Sequence, residues 1–147
     1  MRLSNIATIC AAGWLVSLPA NGHHAFGAEF DADTPVMLTG KVTRVEWVNP
    51  HAWVHIAAEM EDGSTEAWMV EGGTPNTLFR TGITKKSLLP GTVIVVRGYQ
   101  SKDHACEPVC KANGRDLTFP DGRQLFMGSS GTGAPRDGAD SREGSRN

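Results

Sequence analysis

The chain lacks most of the features that name a function at sight. Its charge is nearly balanced, with 14 Lys and Arg against 16 Asp and Glu over 147 residues and a formal net charge of −2. Phosphate binding needs an excess of clustered cations, so this balance argues against DNA or RNA as a main partner. No collagen-like period, heptad or solenoid repeat is present. No Ser-His-Asp or paired-carboxylate arrangement is legible, which makes an enzyme the least favoured reading. The longest apolar run, Ile6 to Leu18, has 13 residues, short of the roughly 20 that span a bilayer. Residues 129–147 contain no large apolar side chain; such a stretch cannot bury a core and is expected to be a disordered tail. The whole chain is 39% hydrophobic, too apolar for a disordered chain and enough for one small domain.

The short apolar run has a purpose of its own. Arg2 is the only charge before it, and Pro19, Ala20, Asn21 and Gly22 break it. This is the tripartite pattern of a secretory signal peptide, so residues 1–22 are expected to be removed and the product to be periplasmic or secreted, with no membrane span afterwards. Cys10 sits mid-run and does not read as a lipoprotein cysteine. Cleavage after Gly22 would make His23 the first residue; cleavage after Ala20 would expose Asn21-Gly22-His23. Both remain open.

The segment 23–128 reads as an all-β domain with one short helix. Val36, Leu38, Gly40 and Val42 alternate, then the phase slips to Val45 and Trp47, which predicts a bulge near Thr43-Arg44. Val54, Ile56 and Ala58 alternate with His51, Trp53 and His55. Asp62-Gly63 and Asp121-Gly122 mark hairpins. Thr65 to Glu71 is a strand, and Thr74-Pro75 starts a short helix as N-cap and first position. Thr92 to Tyr99 is a β-branched strand. Gln100 to Asn113 reads as a polar loop before a last strand pair, Leu117 to Phe119 and Arg123 to Phe126. This order suggests a small five-stranded OB-like barrel, in which the loops between strands 1–2 and 4–5 flank the binding face. An open β-sandwich is the alternative.

Three places carry ligand chemistry. A free N-terminal amine beside His23 and His24 is a chelating unit: a histidine brace if His23 leads, or a four-nitrogen square if Asn21 does. Square-planar nitrogen sites select Cu(II) or Ni(II), so copper is the expected cofactor. In Asn49-Pro50-His51-Ala52-Trp53-Val54-His55, alternation puts His51, Trp53 and His55 on one face, away from the β-branched core face. Lastly, His104 precedes Cys106 and Cys110. Export implies an oxidising compartment, which favours a Cys106–Cys110 disulfide over a soft-metal thiolate site with His104. If both loops lie at one end of the barrel, His51 and His104 could join the N-terminal histidines. The leading expectation is an exported binding module, with a metal, a small ligand or a periplasmic protein as partner, that binds copper through the N-terminal histidines His23 and His24 and through His51 of the Asn-Pro-His motif. An aromatic platform of Trp53 and Trp68 beside Asn49, with no metal, is the alternative. Glu29, Asp31 and Asp33 also alternate near the N-terminus, and a solvated face is their expected role.

A longer set of motifs runs through the chain. His23-His24-Ala25-Phe26-Gly27-Ala28-Glu29-Phe30-Asp31 comes first, then Gly40-Lys41-Val42 and Glu46-Trp47-Val48-Asn49-Pro50-His51-Ala52-Trp53. Pro75-Asn76-Thr77-Leu78-Phe79-Arg80-Thr81-Gly82, Leu89-Pro90-Gly91 and Asp121-Gly122-Arg123-Gln124-Leu125-Phe126 follow. Together they resemble a family of short exported bacterial proteins classed as a domain of unknown function. The resemblance implies a periplasmic or secreted β-barrel module with no assigned activity. The Cys106/Cys110 loop is not part of that pattern.

Overall fold

The computed structural model describes residues 26–128. Two short helices and six strands follow one another: α1 (Phe26–Glu29), β1 (Phe30–Glu46), β2 (Trp53–Glu59), β3 (Thr65–Glu71), α2 (Pro75–Thr81), β4 (Val93–Ser101), β5 (Cys110–Thr118) and β6 (Gln124–Phe126). The His23/His24 pair, the expected signal peptide and the expected tail lie outside the described residues.

Five strands close a ring in the OB-like order. β1 pairs antiparallel with β2 and β4, β2 with β3, and β4 with β5; a parallel β3–β5 ladder joins the ends. β6 is a sixth strand, paired only with the second half of β5. One strand can serve two neighbours because β1 is long and divides its length. Residues from Phe30 to Lys41 face β4, and those from Gly40 to Glu46 face β2. The crossover needs Gly40: a Cβ there would lie 2.3 Å from the Ala57 carbonyl oxygen. Gly98 plays the same part in β4, where a Cβ would meet the Asn113 oxygen at 2.1 Å beside a register shift. The expected bulge in β1 falls between Val42 and Arg44.

The ring is filled from alternate positions. Val54, Ile56 and Ala58 of β2 point inward as their spacing predicts, against Val70, Val96 and Leu117. α2 closes the ring from one side through fully buried Leu78. Its start is set by Thr74, whose hydroxyl accepts from Thr77 N–H, and its end by Gly82 at φ 96°. The two Asp-Gly turns bring Gly63 and Gly122 to φ 81° and 83°, as hairpins require. A separate cluster ties down the start of the described chain: Phe26 stacks on Phe30 at 5.9 Å and meets Tyr99 edge-on at 5.4 Å.

Three expectations need correction. β5 begins at Cys110, inside the stretch read as a polar loop. Lys111, Asn113, Arg115 and Asp116 have little strand propensity, but ladders to β3 and β4 on its two edges hold the segment extended. Trp68 is not on a surface platform. It is a core residue, 4% exposed, because β3 alternation turns it inward with Val70. Finally, the two loops do not share an end of β1. The β1–β2 loop follows Glu46, whereas the β4–β5 loop leaves from Ser101, opposite Phe30.

Candidate functional sites

The histidines fall into two settings. On the outer face of β2 and at its entrance, each imidazole is tied to a carboxylate. His51 Nδ1 lies 3.0 Å from Glu71 Oε1 and 3.2 Å from the Gly72 carbonyl oxygen. Neither oxygen can donate, so Nδ1 carries a proton. Glu71 is buried, 7% exposed, at the end of β3 opposite Trp53. His55 Nε2 lies 3.0 Å from Glu46 Oε1; the same oxygen accepts from Arg44 Nη1. Burial first, and Arg44 second, hold the His55 pKa below its ordinary value against the opposing pull of Glu46. His55 is therefore neutral at neutral pH, with Nε2–H donated to Glu46 and Nδ1 left with the lone pair. Trp53, half-buried, pairs in register with both Glu46 and Glu71. Beside them, Asn49 is exposed, and Trp47 stacks on Phe79 of α2 at 5.1 Å.

His104 occupies a different place. It is exposed, at φ 50°, in the β4–β5 loop, and its N–H donates to the Ser101 carbonyl. This loop folds onto the first of the described residues. Lys102 N–H donates to the Glu29 carbonyl at 2.9 Å, and Lys102 Nζ to the Gly27 carbonyl. Asp31 holds its own turn, accepting from the Asp33 N–H and the Thr34 hydroxyl. Those two donors keep its carboxyl below the ordinary range, with smaller contributions from nearby His104 and Lys102. The 101–104 segment is thus packed against residues 27–31. His104 lies on that segment and His51 lies at Glu71, while His23 and His24 fall outside the described residues.

Cys106 and Cys110 are joined by a disulfide. With Glu66 they are the one group of three His, Cys, Asp or Glu side chains among the described residues whose ligand atoms all lie within 4.8 Å of one another. The carboxylates Glu46, Glu66 and Glu71 were not legible as partners in the sequence. Their only trace is position: Glu46 and Glu71 face the two sides of Trp53 once the register is known.

Among the described residues, no helix is long and apolar enough to cross a membrane. Among curated proteins, none matches the chain. A family model does match residues 13–109, a span that takes in all five histidines and Cys106 but stops before β5. The chain belongs to that family, a family of unknown function (DUF6152).

Proposed function

We propose that the protein is an exported copper-binding module in which the His23-His24 pair and His104 hold Cu(II). The observation that carries this reading is the packing of the 101–104 segment on residues 27–31. Phe26 is anchored against Tyr99, and three residues of extended chain reach about 11 Å at most. In this reading His104, exposed on the loop that packs against residues 27–31, supplies the third nitrogen donor to the amine and imidazole of His23. Nitrogen donors in this number suit Cu(II). His51 supports the framework through Glu71. The test is Cu(II) titration with paramagnetic resonance on chain processed to its natural N-terminus, whose mass fixes the cleavage point. Wild type is expected to give one nitrogen-rich Cu(II) signal. His23→Ala is expected to lose it, and an unchanged signal in that variant would sink the reading.

A second reading rests on the Trp47–Phe79 stack. Phe79 is 41% and Val48 48% exposed, so this corner with half-buried Trp53 offers an aromatic surface for a small ligand or protein without metal. Trp47→Ala would abolish such binding and leave copper uptake unchanged.

A further inference from the structure

We infer that Glu66, Cys106 and Cys110 form a site for a soft divalent metal of the zinc and cadmium class, created when the Cys106–Cys110 disulfide is reduced. Two of the three ligands are built into the ring. Cys110 opens β5, is fully buried, and pairs in register with Trp68 of β3. Glu66 lies on the same strand, and Trp68 Nε1–H donates to its Oε2 at 2.8 Å. An outer hydrogen bond of this kind orients metal-binding carboxylates. Cys106 is different: it sits half-buried in the loop before β5.

This difference matters for the geometry. A tetrahedral ion with metal–sulfur bonds of about 2.3 Å separates two thiolates by roughly 3.8 Å. Sulfurs bonded to each other cannot both occupy such positions, so one withdraws on reduction: loop-borne Cys106 moves while Cys110 stays in its ladder. Glu66 is already in reach of both, within 4.8 Å.

The chemistry balances with a dithiol as reductant. The dithiol gives two electrons and two protons to the Cys106–Cys110 bond and becomes a disulfide itself. The two thiols so formed lose their protons as they bind the metal, because the thiolate is the ligand. Two thiolates and one carboxylate fill three positions of a tetrahedron and leave the fourth for water or another ligand. The loop is then closed by a disulfide when oxidised and by a metal when reduced. The site shares no residue with the proposed copper site.

The test uses the full mature chain, either oxidised or reduced with a phosphine and desalted without air, titrated with Cd(II). Ultraviolet absorption reads the thiolate-to-cadmium charge-transfer band. The reduced wild type is expected to take up one Cd(II) with that band, and the oxidised protein to show none. Glu66→Gln, which keeps an acceptor for Trp68, is expected to weaken binding about tenfold or more, and His51→Ala to leave it unchanged. A reduced wild type that keeps its near-ultraviolet circular dichroism but shows no band would overturn the inference. So would Glu66→Gln binding as tightly as wild type.

Discussion

The histidines on the sheet and the histidine on the β4–β5 loop have the same side chain and opposite surroundings. His51 and His55 each give one ring nitrogen to a glutamate, Glu71 and Glu46, and each is packed against strands that close the ring. His104 is exposed, on a loop folded over the residues that follow the His23-His24 pair. On a strand, a histidine that spacing alone marks as a ligand can serve as a strut, because sheet neighbours bring carboxylates to it at fixed register. On the loop, backbone contacts fix the position and leave the ring to a partner from outside the loop.

Substitutions can break this contrast in graded steps. The largest effect belongs to what both settings share. Gly40→Ala would put a Cβ 2.3 Å from a backbone oxygen, so the ring is expected not to close, and circular dichroism should show no folded protein. Next is Phe26→Ala, which empties the small aromatic cluster. Replacing a buried Phe costs about 3 kcal/mol; melting temperature and Cu(II) affinity should both fall, because the N-terminal motif loses its anchor. Glu71→Ala acts on the sheet side only. Removing a buried partner costs about 2 kcal/mol, readable as a lower denaturant midpoint, with Cu(II) uptake unchanged. Glu46 is 37% exposed, so Glu46→Ala should cost under about 1 kcal/mol.

Acid gives a smaller effect with a fixed sign. An unfolded histidine titrates near pH 6.5, and folded His55 takes its proton only at a lower pH. Between those values the unfolded chain binds more protons, so stability falls as the pH drops through the mid-6s, and the loss is complete below the folded value. Melting temperatures should decline across this window in wild type and decline less in His55→Gln.

Much of the framework was legible because it depends on neighbours in sequence. The Thr74-Pro75 helix start, the Asp-Gly hairpins, the β1 bulge and the inward face of β2 all come from local chemistry or period-two alternation. What escaped depends on distant neighbours. β5 is extended by ladders to β3 and β4, not by its own residues. In sequence Trp68 suits a platform as well as a core, because an aromatic on a strand fits either face until the ring is closed. Phe26 and Phe30 looked like parts of a motif, yet their partner Tyr99 is some seventy positions away. The same limit hid Glu71 and Glu46: only the pairing register brings them to His51 and His55.

The central claim is that copper is held at the loop end of the molecule and not on the sheet face. Paired Cu(II) titrations of naturally processed His104→Ala and His51→Ala test it directly. The account predicts that His104→Ala loses affinity by about tenfold or more, as removal of one ligand should, while His51→Ala binds as wild type does. The reverse pattern, or equal binding by both variants, would contradict it.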